Sequence, residues 1–326
     1  MTNEQLLQLI KDDQALGELL LKAQISTSLG GLVAPQQARE FIDMSVEQTA
    51  PLRRMRVVTG IVRSYELHDI SLGEPVLRPA VEGTAPDASD VSAPTITQRV
   101  LQPRPVRADF DVTFDMIRQN IEGEGLNATL NRLFSKQFGK DIVYVAFNGD
   151  TQYSWDGTQY TDNTPLGKAT RALDGLLKQL AADADVHVYS IPSTPTYSGS
   201  SGVFSAMIKL LPKDYRDDRS ALAFFVSQNV LDAYEDEIAD RQTTTADAVM
   251  FGSADVSRYK RIEIVPVYGL PDDKIILTVQ RNLVVGFGRD MQVGMDVYNR
   301  KGVVEVTIRT DVDVSYIRGD AVVLGT

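Results

Sequence analysis

The chain has 326 residues, a formal net charge of −11 and no cysteine. The absence of thiols excludes disulfides, thiolate metal sites and cysteine nucleophiles together. With only His68 and His187, a multi-histidine metal site or a Ser–His relay has little material, and the acidic balance argues against general nucleic-acid binding apart from a local basic patch.

At 43% hydrophobic the chain has enough apolar material for one large or two ordinary domains. No stretch approaches the ~18 apolar residues that would span a bilayer. The first residues lack a basic region followed by an apolar core, so cytoplasmic synthesis is the expectation.

Residues 3–25 carry Leu6, Leu7, Ile10, Leu16, Leu19, Leu20 and Ala23 at helical spacing, with Gly17 as a weak point. Ser28-Leu29-Gly30-Gly31-Leu32-Val33-Ala34-Pro35 is a breaker-rich link, and a second short helix is predicted from Gln36 to about Glu47. Helices tethered in this way read as an arm.

From Pro51 to Phe114 the texture is extended. Val57 to Leu67 reads as one strand; Val106, Ala108, Phe110, Val112 and Phe114, alternating with Arg107, Asp109, Asp111 and Thr113, read as another. Pro75, Pro79, Pro86, Pro94, Pro103 and Pro105 keep such a two-stranded ribbon extended and its edges from pairing indiscriminately. A long hairpin is marginal alone, so this one is expected to lie on another chain. Between Lys22 and Lys136 there is no lysine but there are eleven arginines. The planar guanidinium pairs bidentately with carboxylates and is common at interfaces. Arg53, Arg54, Arg56, Arg63, Arg78, Arg99, Arg104 and Arg107 are therefore candidate inter-subunit contacts, with codon bias as the competing explanation.

A long amphipathic helix is predicted from Leu126 to Phe147, roughly 33 Å at 1.5 Å per residue. Leu126, Leu130, Leu133, Phe134, Phe138 and Ile142 recur at steps of three and four, opposite Arg132, Lys136, Lys140 and Asp141. Asn148-Gly149 offers a left-handed exit. Beyond it, Tyr153 to Thr164 is a polar loop, Leu166 to Ala182 a single helix, and Ile191 to Gly202 an exposed, mobile loop rich in Ser, Thr, Pro and Gly. Val203 to Leu211 resumes a helix. Ala221 to Val226 is a short buried strand, followed by a helix from Asn229 to about Arg241. Ile262 to Val267 and Lys274 to Gln280 are strands joined by a Gly269-Leu270-Pro271-Asp272-Asp273 turn, and Asn282 to Gly288 is another. In the last segment Val304, Val306, Ile308, Thr310, Val312 and Val314 alternate with charged residues and threonine, a long strand whose partner is predicted at Gln292 to Tyr298.

Candidate chemistry is sparse. Gly123-x-Gly125-x-x-Ala128 superficially matches a dinucleotide loop, but no buried strand precedes it, and Glu122 and Glu124 would repel a pyrophosphate. Gly286-x-Gly288 lacks its third glycine. Asp232, Glu235, Asp236, Glu237 and Asp240 read as a solvated helix face, since nothing apolar nearby would raise a carboxylate pKa. Asp150, Asp156 and Asp162 do not have the spacing of the helix–loop–helix calcium motif. His68 and His187 read as structural. No constellation supports catalysis, and no cofactor or metal is expected.

The order of these parts resembles the major capsid proteins of tailed bacteriophages, the Hong Kong ninety-seven fold, over roughly residues 28–324. The likeness rests on Gly30-Gly31-Leu32-Val33-x-Pro35, Ala50-Pro51-Leu52-Arg53, Phe147-Asn148-Gly149-Asp150, Leu173-Asp174-Gly175-Leu176-Leu177, Phe225-Val226-x-x-x-Asn229 and Ile264-Val265-Pro266-Val267. It implies an α+β fold with four parts. These are an N-terminal helix and arm (1–52), an extended β-hairpin loop (53–118), a peripheral domain (119–165 with 290–326) and a mixed α/β axial domain (166–289). It also implies a non-enzymatic subunit of hexamers and pentamers that tile an icosahedral shell around double-stranded DNA, in a virion assembled in the bacterial cytoplasm. Separate scaffolding, portal and decoration proteins are further implied partners, and no membrane is.

Two departures from the family matter. Residues 1–27 are too short for the scaffolding domain that some relatives cleave off. The lysine gap removes the covalent cross-link that others form from the extended loop. An encapsulin shell holding cargo enzymes is the alternative within the fold, and a carboxylate-dependent hydrolase is a remote one outside it.

Overall fold

The computed structural model describes residues 31–32, 42–43, 45–47, 49–71, 94–113, 115, 126–240, 257–288, 292–298 and 300–326; along the helix that starts at Leu126, side chains are described from Phe134 onward. The predicted helix over 3–25, most of the Gly-Gly link, Arg78, and Gly123 and Gly125 lie outside these residues, as do the side chains of Leu126, Leu130 and Leu133.

A run of β-branched residues at period 2 favours an extended chain with one face inward, and β13 (Val303–Tyr316) is that strand, 14 residues long. Ile308, Thr310, Val312 and Val314 are buried, while Arg309 between them is exposed. β12 (Gln292–Tyr298) pairs antiparallel with its first half, from Tyr298↔Val303 to Gln292↔Arg309, across a turn in which Gly302 takes φ 65°. β5 (Arg104–Thr113) also pairs antiparallel with β13, from Val303↔Thr113 to Val312↔Arg104. β11 (Leu283–Gly288) takes the end of the strand, with Leu283↔Tyr316. β2 (Arg56–Ile61) joins β11 in parallel, and β1 (Gly31–Leu32) joins β12.

Val57 to Leu67 is not one strand. The chain breaks at residues 62–64 and resumes as β3 (Tyr65–Ser71), which pairs with β4 (Thr95–Leu101) in a separate two-stranded ribbon. The apolar pattern carries no sign of the break, because both pieces bury residues on one side: Ile61 before it and Leu67 after it.

The second sheet has the order β6 (His187–Tyr189), β14 (Val322–Gly325), β10 (Ile275–Val279), β7 (Leu222–Val226), β9 (Ile262–Pro266), β8 (Arg258–Tyr259). The β9–β10 turn is present, but its two strands lie on either side of β7. All five residues of β7 are buried. Strand alternation sends Phe224 to one face and Phe225 to the other, so the sheet sits between two apolar clusters.

On one side α5 (Val203–Leu210) and α7 (Gln228–Ala239) cover Phe224, Ile264 and Leu277 with Phe204, Met207, Val230 and Tyr234. On the other side the core continues into the first sheet through α2 (Leu126–Asn148) and α4 (Leu176–Ala182), where Phe138, Ile142 and Phe147 share a cluster with Phe225, Leu176, Leu180, Val285 and Val312. Phe134 stacks on Phe110 of β5 with ring centroids 4.3 Å apart. Of the predicted apolar stripe, Phe138 and Ile142 are buried in this cluster and Phe134 is half-buried.

The remaining helices are short. α1 (Ala50–Arg54) has Pro51 in its first turn, where no amide donor is needed. α3 (Pro165–Thr170) and α6 (Lys213–Arg216) are short as well. Leu166 to Ala182 is thus two helices, α3 and α4, and the break spans residues 171–175. No helix among the described residues is long and apolar enough to cross a membrane.

Candidate assembly surface

The ribbon β3–β4 has two unlike faces. Pairing of Leu67 with Arg99 and of Tyr65 with Leu101 puts Leu67 (3% exposed) and Leu101 (0%) on the inner face, where they meet Ile61 and Val284. The outer face carries Glu66 opposite Val100, His68 opposite Gln98 and Ile70 opposite Ile96. Ile70 and Ile96 are each 63% exposed, and Val100 is 44%. A lone exposed isoleucine is ordinary, but a cross-strand pair extended by a valine is an apolar strip. His68 lies 3.2 Å from Glu66 on this face, and among the described residues no metal-ligand set surrounds it.

The arginines divide by use. Arg54 donates from Nε (2.9 Å) and Nη2 (2.6 Å) to Glu263 of β9, fastening α1 to the second sheet. Arg99 pairs with Asp183 and lies 4.0 Å over the Tyr316 ring. Arg107 pairs with Asp109 at 2.9 Å across an exposed face. Arg53, Arg56, Arg63 and Arg104 are exposed; Arg104 lies close enough to Asp313 to attract its carboxylate. Three of the candidate intermolecular residues, Arg54, Arg99 and Arg107, therefore pair within their own chain, the last of them on an exposed face.

At the end of α2 the chain turns without a left-handed residue, because neither Asn148 nor Gly149 has positive φ. The glycine is required for a different reason. A Cβ on Gly149 would meet the Leu173 carbonyl and lie 2.6 Å from that of Val145, and one on Gly175 would lie 2.7 Å from that of Phe147. Backbone meets backbone here: Gly175 N–H donates to Gly149 O, and Asp150 N–H to Thr170 O, both at 2.8 Å. This contact breaks the predicted 166–182 helix. Around it, Lys178 bridges Asp150 and Asp174 at 2.7 Å each, and Asp174 also accepts from the Thr151 amide (3.0 Å) and hydroxyl (2.9 Å). Burial pushes the Asp174 carboxyl up, but Lys178 and Thr151 outweigh it and hold the group below the usual carboxylate range.

The acidic cluster on α7 is only partly a solvated face. Asp232, Asp236 and Asp240 are exposed. Glu237, however, accepts from the amides of Tyr197 (2.8 Å) and Ser198 (2.7 Å) and from the Ser198 hydroxyl (2.5 Å), while Glu235 accepts from Ser257. The 191–202 segment has no regular element, as predicted, but it is pinned at its middle rather than loose: Tyr197 and Ser198 are buried. The sequence carries no local signal for this, since the partners are 40 residues apart.

Asp150, Asp156 and Asp162 do not converge. Asp156 caps the Thr158 and Gln159 amides, and Asp162 caps that of Thr164. Among the described residues no group of three or more His, Cys, Asp or Glu side chains can hold a metal ion. Gly286 and Gly288 lie within β11, where a Cβ on Gly286 would sit 2.7 Å from the Ile61 side chain. They make room for packing, not for a phosphate.

No family model matches the chain. It is 27% identical over 318 residues to the putative prophage capsid protein YqbE of Bacillus subtilis (strain 168), covering 94% of this chain and 96% of that one. Among solved structures it superposes on a chain of the satellite phage P4 procapsid (TM-score 0.66, 17% identity, 94% of this chain and 96% of that chain). It also superposes on a chain of the cyanophage A-1(L) capsid (TM-score 0.55, 12% identity, 86% and 92%). The fold is the Hong Kong ninety-seven capsid fold, and the resemblance to tailed-phage capsid proteins is supported.

Proposed function

We propose that this chain is a major capsid protein, a non-enzymatic subunit whose copies form the hexamers and pentamers of an icosahedral shell around double-stranded DNA. The observation that carries the reading is the β3–β4 ribbon, a separate antiparallel pair whose outer face leaves Ile70, Ile96 and Val100 in solvent. Such a strip is stabilised once another surface covers it, and in a self-assembling protein that surface belongs to a neighbouring copy. Residues 53–118 then act as the extended loop, 119–165 with 290–326 as the peripheral domain and 166–289 as the axial domain. Among the described candidate arginines, Arg53, Arg56 and Arg63 are left to pair with carboxylates of neighbours.

The shell is non-covalent at this loop, because no lysine lies between Lys22 and Lys136. Denaturing gels of mature particles should therefore show one band at 35.9 kDa, and a covalent ladder above it would overturn this point. The net charge of −11 suits a wall that must release its DNA, since phosphate contacts through Lys and Arg bind tightly and nonspecifically.

Electron microscopy of the purified recombinant chain tests the whole reading. Closed shells, tubes or capsomers are expected. A chain that stays monomeric at high concentration refutes it, and shells that carry protein cargo instead of DNA would identify an encapsulin.

A further inference from the structure

Strands β3 and β4 are hydrogen-bonded to each other and to no other described strand. The direction in which the ribbon leaves the body is therefore not set by a sheet ladder. Its apolar contact, Leu67 and Leu101 against Ile61 and Val284, provides grip, but hydrophobic contact has no directional preference. Direction has to come from groups with fixed geometry.

Two guanidinium groups supply it, one on each side of the junction. Arg99, on β4, reaches from the ribbon to the body. Its plane lies over Tyr316, and it pairs with Asp183 just beyond α4, whose carboxylate also accepts from the Tyr316 hydroxyl at 2.6 Å. Arg318, just beyond β13, reaches from the body to the ribbon. It grips Asp69 of β3 with both arms, Nη2 to Oδ1 at 2.7 Å and Nε to Oδ2 at 2.5 Å. Its own backbone is fixed by a bond from its amide to Asn282 Oδ1 at 2.9 Å, and Nη1 donates to the Tyr215 hydroxyl at 3.2 Å. Both carboxylates are 16% exposed, so solvent screens these pairs less than ordinary surface pairs. The bidentate fork of Arg318 holds Asp69 in angle as well as in distance; Arg99 meets Asp183 through Nη2 alone and takes its orientation from lying over Tyr316, and the two groups act on different strands.

We infer that Arg99 and Arg318 are positioning residues that fix the direction of the ribbon and so aim its outer apolar strip at a second copy of the chain. The aiming at a second copy rests on the capsid reading; the fixing of direction does not.

The test uses the full chain. Because it has no cysteine, Thr97→Cys on the ribbon and Lys209→Cys on the body can carry a pair of spin labels, measured with the labelled chain diluted into unlabelled chain. In the otherwise native chain the distance distribution should be narrow. In Arg99→Ala/Arg318→Ala it should broaden several-fold. Amide exchange over 65–71 and 95–101 should accelerate roughly ten-fold, with 222–226 and 275–279 unchanged. If the double Ala variant loses its fold, Arg99→Lys/Arg318→Lys keeps the charges without the planar forks and should still broaden the distribution, by less. An unchanged distribution and unchanged exchange in a folded variant overturn the inference. A freed ribbon with defective shells supports both the inference and the assembly role. A freed ribbon with normal shells supports the inference and counts against the ribbon's part in assembly.

Discussion

In the sheet centred on β7, Phe224 and Phe225 leave opposite faces of one strand and each enters its own apolar cluster. In the β3–β4 ribbon only the inner face is covered. Leu67 and Leu101 are buried, whereas Ile70 and Ile96 on the other side are open to solvent. The sheet is thus held by burial on two sides. The ribbon is held by a small apolar contact and by charged groups that begin and end on different strands. The difference separates a part of the molecule that folds for its own stability from a part that is shaped for something outside it.

The comparison can be broken by measuring where substitutions are felt. Phe224→Ala removes a ring with 0% exposure and should cost about 3–5 kcal/mol by chemical denaturation. A smaller loss would mean that this core collapses readily around the cavity. Glu237→Ala leaves the Tyr197 and Ser198 amides without their acceptor, a loss of about 1–3 kcal/mol. Limited proteolysis should then cut within 191–202, and continued resistance there would show that the pinning lies elsewhere.

Acid should act on the joint at the end of α2. Asp174 is held below the usual carboxylate range, so its pairing contributes fully above the unfolded value of about 3.9 and is lost as pH falls through the lower folded value. The stability difference between the native chain and Asp174→Asn should accordingly be constant at neutral pH and shrink in acid. A difference that grows on acidification would reverse the sign and reject the pairing as its cause. The smallest effect on stability belongs to the ribbon's outer face. Ile70→Ser/Ile96→Ser should stay within about 0.5 kcal/mol of the native chain while impairing particle formation seen by electron microscopy. If it destabilised the monomer as much as Phe224→Ala does, the contrast between the two regions would be wrong.

Much of the frame was legible because it is written in short periods. The alternation from Val304 to Val314 named β13 and its buried face, and steps of three and four from Phe134 to Ile142 named the core face of α2. What escaped depends on groups distant in sequence. Nothing between Leu166 and Ala182 announces that Gly175 must meet Gly149, so the two helices there looked like one. Asn148-Gly149 carries the signature of a left-handed exit, yet the glycine serves close backbone approach. Arg99 finds Asp183 at a separation of 84 residues and Arg318 finds Asp69 at 249, so composition pointed to interfacial arginines where two of them, Arg54 and Arg99, turned inward.

The pairing of β13 also has a consequence for synthesis. β2 and β5 emerge from the ribosome early, but their partners β11 and β13 follow nearly the whole of the second sheet and its helices. Contacts of such long sequence separation form slowly, and a nascent chain meanwhile exposes unpaired strand edges. Arg318, which aims the ribbon, is translated later still. The ribbon therefore acquires its Asp69–Arg318 pair only after residues 303–318 have emerged, when the body it belongs to is nearly complete.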